Sequence, residues 1–175
     1  MGKGSAVSWP VGLGAKGNEG VAGVVLQNKY SVGYIELAYA IIQKMSYASV
    51  KNSAGNFVEP SLDSTAAAAA AIAPYLPRGD ESWETVSITD PPGAESYPIA
   101  SYTYLLVYKE QTDETKGKAL VDFLWWAIHE GQQYSSALQY VPLPEEVVKL
   151  NEETLRSITY KGQPVLQDPK TAIQL

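Results

Sequence analysis

The sequence predicts an α/β fold, because stretches that favour helices alternate with stretches that favour strands. Residues 66–71 are an alanine run, and alanine is the best helix former. Residues 119–128 repeat apolar side chains at the 3.6-residue helical period. Between these two helices, residues 98–108 are rich in β-branched and aromatic side chains with both faces apolar, which favours a strand buried on two sides.

The amino-acid composition and net charge exclude several classes of protein and of functional site. The 175 residues are 45% hydrophobic and 18% charged, which is ordinary for a globular protein. A net charge of −6 without clustered lysine or arginine argues against a nucleic-acid partner. The absence of cysteine excludes disulfides, thiolate metal sites and a cysteine nucleophile. No stretch reaches the roughly 20 apolar residues that span a bilayer, and we expect no signal peptide in this chain.

A glycine-rich loop opens the first predicted helix. Asn18 is the expected N-cap, because its side-chain oxygen can accept from the free backbone N–H groups of the first turn. One apolar face follows, made of Val21, Val24 and Val25. Residues 32–35 are expected to form a short buried strand, and residues 36–43 a short helix.

A hairpin and the alanine-rich helix are expected next. Residues 45–50 and 57–58 flank a glycine-containing turn and predict two short strands. Ser61 is the expected N-cap of the helix, which ends before the next proline. Prolines and glycines then indicate a long surface loop over residues 74–96, with one short strand near residues 85–88.

Two further helices are predicted in the last third of the chain. The first follows residue 112, is broken at Gly131 and continues as a second helical piece over residues 132–138. Its apolar face comprises Ala119, Leu120, Phe123, Leu124, Ala127 and Ile128. The second helix has Pro144 as its first residue. Its apolar face comprises Val147, Val148, Leu155 and Ile158. From Gly162 the tail is expected to be extended and partly mobile.

The spacing of Gly12, Gly14 and Gly17 matches the G-x-G-x-x-G fingerprint of dinucleotide sites, and Glu36 lies about twenty residues further on. A true fingerprint needs a buried strand directly before the glycines and a helix that opens among them. Pro10 disfavours that strand, and the expected helix opens only after the third glycine. An NAD-dependent enzyme is therefore a disfavoured third hypothesis, and no cofactor is expected.

The start of the first helix is the candidate anion contact. Free N–H groups and the helix dipole favour negative charge there, and Lys16 adds a positive charge beside Asn18 and Gly20. Against this, Glu19 already places a carboxylate in the first turn. A structural role is the preferred interpretation, and an anion contact at Lys16, Asn18 and Gly20 is the alternative.

No catalytic or metal site is predicted. His129 is the only histidine, and its place at the end of a helix, where positive charge is favourable, explains its presence. The pairs Glu145–Glu146 and Glu152–Glu153 are interpreted as a solvated helix face. No Gly-x-Ser-x-Gly motif is present, so serine–histidine catalysis has little support.

Six segments carry a family resemblance. Two are the most specific, Trp9-Pro-Val-Gly-Leu-Gly-Ala-Lys-Gly-Asn-Glu-Gly-Val21 and Ser31-Val-Gly-Tyr-Ile-Glu-Leu-Ala-Tyr-Ala40. The others are residues 97–109, 116–131, 138–148 and 162–166. Together, in order and over nearly the whole chain, they resemble the phosphate-binding proteins of bacterial and archaeal ABC importers (PstS-like). The resemblance implies an α/β fold of periplasmic-binding-protein-like lobes (type II).

The resemblance also implies that the two lobes are incomplete here. Residues 2–102 would be the remainder of the second lobe, residues 103–161 the C-terminal part of the first lobe, and residues 162–175 a tail. In this family an Arg-x-Asp-Gly-Ser-Gly-Thr run marks the phosphate site, and we expect that run upstream of this chain. The only arginines present are Arg78 and Arg156, so none of the family's phosphate ligands is assigned to this chain.

Two functional hypotheses follow. As the resemblance implies, the complete protein would lie outside the cytoplasm, in a periplasm or as a cell-surface lipoprotein. It would deliver inorganic phosphate to ABC permease subunits without chemistry on it. The second hypothesis is an interaction or assembly unit that binds no ligand. Its partner would be the missing N-terminal half or a second copy of this chain, because incomplete lobes expose apolar surface and unpaired strand edges.

Overall fold

The computed structural model describes residues 7–166, and the chain divides into two compact units. One unit ends at Tyr47, and the other begins at Ala48. The expected lobes, residues 2–102 and 103–161, follow a different division and stay a prediction.

The first unit consists of two helices and the loops beside them. Helix α1 is Gly17–Gln27 and helix α2 is Leu37–Ile42, which confirms both predicted helices. The expected strand over residues 32–35 is wrong, because these residues form a loop without strand pairing. A Cβ on Gly33 would lie 2.9 Å from Val21 and 2.8 Å from Val25, so the valine face of α1 packs against this loop instead of against a strand.

The second unit opens with the predicted hairpin. Strands β1 (Val50–Lys51) and β2 (Phe57–Val58) pair antiparallel, with Val50 opposite Val58. Buried Asn52 fixes the start of the turn, because its backbone N–H donates to the carbonyl oxygen of Asn56 at 2.9 Å. Its side-chain amide donates to three further carbonyl oxygens, those of Gly93, Ala94 and Ser96, at 3.0–3.1 Å.

The alanine-rich helix is confirmed as α3 (Leu62–Ile72). Ser61 is its N-cap, as expected: its hydroxyl accepts from the backbone N–H of Ser64, and the Ser64 hydroxyl accepts from the backbone N–H of Ser61. The helix buries Ala68 and Ala69, and a 3₁₀ turn at Ala73–Tyr75 follows it. The low side-chain volume of the alanines allows close packing on this face.

Two expected strands are absent from the residues that follow. Residues 85–88 and 98–108 have no strand pairing, so both predictions are wrong. High β-propensity suits a pleated, half-buried surface, but a strand also needs a neighbour for its hydrogen bonds, and the described residues supply none here. The Tyr102 hydroxyl instead donates to the carbonyl oxygen of Ala69 at 3.2 Å.

The rest of the second unit is two helices and a small mixed sheet. Helices α4 (Glu114–Ile128) and α5 (Glu145–Arg156) confirm the predicted helices, although Pro144 is the N-cap and not the first residue of α5. In the sheet, the central strand pairs with one parallel and one antiparallel neighbour. Its strands, in spatial order, are β3 (Glu110–Gln111), β4 (Thr159–Tyr160) and β5 (Gln163–Pro164).

The core between these helices and the sheet corrects the predicted face of α4. Its buried cluster comprises Val121, Leu124, Leu155, Ile158 and Val165. Ala119 and Phe123, expected in the core, are exposed, and Gly117 is buried in their place. A Cβ on Gly117 would lie 2.9 Å from the side chain of Gln111, so the absence of a side chain here allows Gln111 of β3 to pack closely against α4. On α5, Val147 and Leu155 are buried as expected, and Val148 is partly buried.

The segments around these helices complete the described chain. After α4 the predicted second helical piece is present as 3₁₀ turns at Glu130–Tyr134 and Ser136–Leu138. The tail is extended where it forms β5, while the prediction of mobility falls mainly on residues 167–175, outside the described residues. No helix within residues 7–166 is both long and apolar enough to span a membrane.

Candidate functional site

The start of α1 differs from the sequence prediction at its cap. The helix begins at Gly17, with Lys16 in the N-cap position and no side-chain hydrogen bond there. The expected capping role of Asn18 is therefore wrong, because Asn18 lies inside the first turn. Gly20 donates its backbone N–H to the carbonyl oxygen of Lys16 at 3.2 Å, which closes that turn. Lys16, Asn18 and Gly20 thus lie together on one turn.

Asn18 connects α1 to the start of α2. Its side-chain oxygen accepts from the backbone N–H of Glu36 at 3.0 Å, and its amide donates to a carboxylate oxygen of Glu36 at 3.3 Å. Glu36 is the N-cap residue of α2. One asparagine therefore bonds both the backbone and the side chain of the residue that begins the next helix.

Glu19 makes the second connection between the same two helices. Its carboxylate accepts from the Tyr39 hydroxyl at 2.7 Å. The hydrogen bond from Tyr39, followed by one from the backbone N–H of Glu19 itself, holds the pKa of this carboxyl below its ordinary value. The ionised carboxylate lies in the first turn of α1, where it complements the helix dipole.

The geometry around this turn is better suited to joining two helices than to holding an anion. Two carboxylates lie at this turn: Glu19 belongs to it, and Glu36 accepts from the side chain of Asn18. Carboxylates repel a phosphate at short range, so they oppose the anion that the helix terminus would otherwise attract. An anion contact by Lys16, Asn18 and Gly20 stays a prediction.

The glycine loop does not have the geometry of a dinucleotide fingerprint. No strand is present in residues 7–16, and α1 begins at Gly17, the last of the three spaced glycines. Glu36, at the acidic position of the fingerprint spacing, accepts a hydrogen bond from the side chain of Asn18. The loop therefore lacks the preceding strand that such a site needs.

His129 lies in a cluster that the sequence did not reveal. It caps α4, and its Nδ1 lies 2.7 Å from the carbonyl oxygen of Trp125 while its Nε2 lies 2.9 Å from the Glu152 carboxylate. The Arg156 guanidinium lies 3.4 Å from the same carboxylate and 5.0 Å from the centre of the Trp125 ring. Glu152, expected on a solvated face, is partly buried between two cationic side chains, because α5 packs beside α4.

The protonation of His129 follows from these contacts. Burial lowers the pKa of His129, but hydrogen bonds to Trp125 and Glu152 and the charges of Glu152 and Glu130 outweigh burial and raise the pKa above its ordinary value. Both ring nitrogens face oxygen acceptors, and only the imidazolium can donate to both. The imidazolium form of His129 places a positive charge at the C-terminal end of α4, where the helix dipole favours it.

Both arginines are engaged with carboxylates of the protein. Arg156 pairs with Glu152, as above. Arg78 lies 3.7 Å from Asp80, which also accepts from Lys109 at 3.2 Å. The hydrogen bond and charge of Lys109, with a smaller contribution from Arg78, lower the pKa of Asp80. Each guanidinium therefore already has a carboxylate of the protein as its partner.

A broad, open depression of about 740 Å³ lies beside the hairpin and the start of α3. Its lining includes three acidic residues, Glu59, Asp63 and Glu95, together with Ser61 and Ser64. The two serine hydroxyls already bond within the capping box. Acidic lining repels anions, so this depression does not suit phosphate. Among residues 7–166 no three histidine or acidic side chains are close enough together to hold a metal ion.

Comparisons with known proteins complement this geometry. A family model described as a PBP superfamily domain matches residues 5–127. The phosphate-binding protein PstS of Xylella fastidiosa (strain 9a5c) is 42% identical over 154 residues, which cover 85% of this chain and 40% of that protein. The PstS of Pasteurella multocida is 41% identical over 85% of this chain and 42% of that protein.

An archaeal protein gives a similar match. The phosphate-binding protein PstS of Methanocaldococcus jannaschii is 38% identical over 162 residues, which cover 86% of this chain and 42% of that protein. The chain thus spans about two fifths of the length of these curated relatives.

Proposed function

Because this chain belongs to the PBP superfamily, we propose that it is the C-terminal portion of an extracytoplasmic solute-binding protein that captures inorganic phosphate for an ABC importer. The observation that carries the proposal is the 42% identity, over 85% of the chain, to a relative named for phosphate binding. The same family match confirms the predicted α/β, periplasmic-binding-protein-like fold class. The family is one of solute-binding proteins, and the proposal includes no catalytic step.

In this proposal the phosphate ligands are supplied by sequence outside this chain. The family's Arg-x-Asp-Gly-Ser-Gly-Thr run is not present in the 175 residues. The local electrostatics support the same conclusion, since Arg78 and Arg156 each pair with a carboxylate and the start of α1 has two acidic neighbours. The contribution of this chain is then to build parts of both lobes. Residues 2–102 would belong to the second lobe and residues 103–161 to the first, and residues 162–175 would form a tail.

Binding in the complete protein would need no chemistry on the solute. Two lobes close around the anion, exclude water and hold it by hydrogen bonds to its charged oxygens. Charge-assisted hydrogen bonds of this kind are roughly twice as strong as neutral ones, so the number of donors sets the specificity. Opening of the lobes at the permease subunits, on the outer side of the membrane, would release phosphate for import.

Isothermal titration with inorganic phosphate tests the proposal. One sample is this chain alone, and the other is this chain joined to the portion of the 42% identical relative that lies outside the match. We expect saturable binding only by the joined protein, with sulfate as the control anion. Saturable binding by the chain alone would contradict the assignment of the ligands elsewhere. A folded joined protein that does not bind phosphate would contradict the proposed solute.

A second candidate function is an assembly unit that binds no ligand. Its support is an apolar surface made by the exposed side chains of Leu105, Leu106 and Tyr108. The molar mass of the chain, measured together with its phosphate titration, distinguishes the two candidates. A folded monomer that binds phosphate once joined supports the transport role, and an oligomer that stays inert toward phosphate supports the assembly role.

A further inference from the structure

Residues 78–84 form a loop that is hydrogen-bonded to itself, and we call this loop the strap. The backbone N–H of Arg78 donates to the Glu81 carboxylate at 2.7 Å, and the backbone N–H of Glu81 donates to the carbonyl oxygen of Arg78 at 3.0 Å. The indole N–H of Trp83 donates to the same carbonyl oxygen, also at 3.0 Å. The strap is therefore held in shape by its own contacts.

The strap contacts the segment that leads into β3 at two side chains. The ring of Trp83 meets the ring of Tyr104 edge to face, with 5.8 Å between the ring centres. Asp80 accepts a hydrogen bond from the ammonium group of Lys109 at 3.2 Å. The strap thus holds this segment at two separate points.

The third contact of the strap is with α5. A Cβ on Gly79 would lie 2.2 Å from Oγ1 of Thr154, so only a glycine allows the strap backbone to lie this close to the helix. Oγ1 of Thr154 donates to the carbonyl oxygen of Leu150 at 2.9 Å, which holds the threonine side chain in place. The strap backbone therefore lies directly against a fixed side chain of α5.

We propose that the strap is a second connection between the two lobes, which stiffens their joint and so raises the affinity of the complete protein for phosphate. This inference rests on the proposed function, in which residues 2–102 belong to the second lobe and residues 103–161 to the first. The strap is part of the second-lobe portion, and its contacts at Tyr104, Lys109 and Thr154 are part of the first-lobe portion. The polypeptide itself would make the other connection, near residues 101–103.

The stiffening follows from the conformational freedom of such a joint. Lobes connected by a single crossing of the chain can adopt many relative orientations, and closure on a solute gives up that freedom. A second connection removes part of this freedom before binding, so less of it is lost when the lobes close. The contacts of the strap are individually weak, because an exposed ion pair and an edge-to-face ring pair each contribute little. They can therefore restrain the lobes without preventing their hinge closure.

Distances between two spin labels, measured by electron paramagnetic resonance, test the proposal in the joined protein. This chain contains no cysteine, so Lys51→Cys and Lys118→Cys supply the labelling sites, with any cysteine of the added portion replaced by serine. Both lysines are exposed, and neither belongs to the strap or to its contacts. Lys51 lies in the second-lobe portion and Lys118 in the first, so the width of the distance distribution reports the range of lobe orientations.

Two substitutions loosen the strap in different ways. Gly79→Ala places a methyl group where the side chain of Thr154 lies, and Asp80→Asn removes the ion pair with Lys109. We expect the double variant to broaden the distance distribution about 1.5-fold or more, because the lobes regain orientations that the strap excluded. We expect its affinity for phosphate, measured by isothermal titration, to fall about threefold.

Matched controls change the same chemical groups away from the strap. Gly23→Ala adds a methyl group at a helical glycine with no other atom within 4 Å of the added carbon. Glu145→Gln removes an exposed ion pair with Lys149, and both partners of that pair belong to α5. Neither control changes a contact between the two lobe portions, so we expect the distance distribution and the phosphate affinity to stay unchanged.

Three outcomes overturn the proposal. The first is an unchanged distance distribution in a double variant shown to be folded by circular dichroism, which assigns the strap a local role in supporting α5. The second is equal broadening by the controls. The third is a broader distribution with unchanged or higher phosphate affinity. The label distances need no phosphate, so the two proposals fail separately. Broadening by the double variant in a joined protein that binds no phosphate contradicts only the proposed solute, and phosphate binding without broadening contradicts only the strap.

Discussion

The Nε2 atom of His129 lies 2.9 Å from a carboxylate oxygen of Glu152, and this contact joins the end of α4 to α5. Residues 23 positions apart thus form one ion pair, with the His129 ring stacked on Trp125 at 4.6 Å between ring centres. The pair is partly shielded from solvent, so it contributes more than an exposed surface pair would. Because this pair contains a histidine with a raised pKa, it makes the stability of the second unit depend on pH.

The stability of the chain should fall as the pH rises above neutrality. Because the folded state raises the pKa of His129 above 6.5, the stabilising contribution is fully present below about pH 6.5 and is lost as the pH rises through the folded pKa. We expect His129→Gln to cost about 1 kcal/mol at pH 6 and progressively less toward pH 9. Unfolding in urea at several pH values measures the difference. If the difference in free energy of unfolding between the parent chain and the variant stays constant with pH, His129 acts by packing alone.

The corrected face of α4 predicts unequal costs for two neighbouring side chains. Leu124 is buried in the core cluster, whereas Phe123 is mostly exposed. Leu124→Ala should therefore destabilise the chain by about 3 kcal/mol, through lost burial and the cavity left behind. Phe123→Ala, the control, should cost less than about 1 kcal/mol. Chemical denaturation measures both, and a cost for Phe123→Ala as large as that for Leu124→Ala would place both side chains in the core, as the sequence predicted.

Asn52 should be the most sensitive polar residue of the hairpin. Its buried amide donates to the carbonyl oxygens of Gly93, Ala94 and Ser96. Asn52→Ala leaves these acceptors without that donor, so we expect a loss of about 2 kcal/mol. Asn56→Ala, at an exposed residue with one such side-chain bond, to Ala94, is the control. Thermal unfolding that is equally affected by both substitutions would argue against a special role of the buried amide.

The start of α1 offers a direct check of its two interpretations. In the joined protein, Lys16→Ala and Asn18→Ala together should leave phosphate affinity unchanged within about twofold, because Glu19 and Glu36 oppose an anion there. Asn18→Ala alone should lower stability by about 1 kcal/mol, since it removes both bonds to Glu36. A tenfold loss of phosphate affinity in the double variant, measured by titration calorimetry, would establish the anion contact instead.

Local signals predicted the helices well. Alanine propensity and the serine cap were sufficient for α3, and apolar periodicity with a proline before acidic residues was sufficient for α5. These signals act within a few residues of chain, so they persist in the folded protein. The N-cap of α1 was wrong because Asn18 forms its bonds to Glu36, a partner 18 residues away that no local pattern identifies.

The sequence by itself determined the family, the fold class and the positions of the helices. Only the tertiary structure decided which side chains of α4 are buried, that Glu152 pairs with His129, and that residues 98–108 have no strand beside them. The physical reason is the distance along the sequence between the residues that interact. Helical hydrogen bonds form within one segment, whereas core faces, ion pairs between helices and β-strands each depend on a partner from elsewhere in the chain.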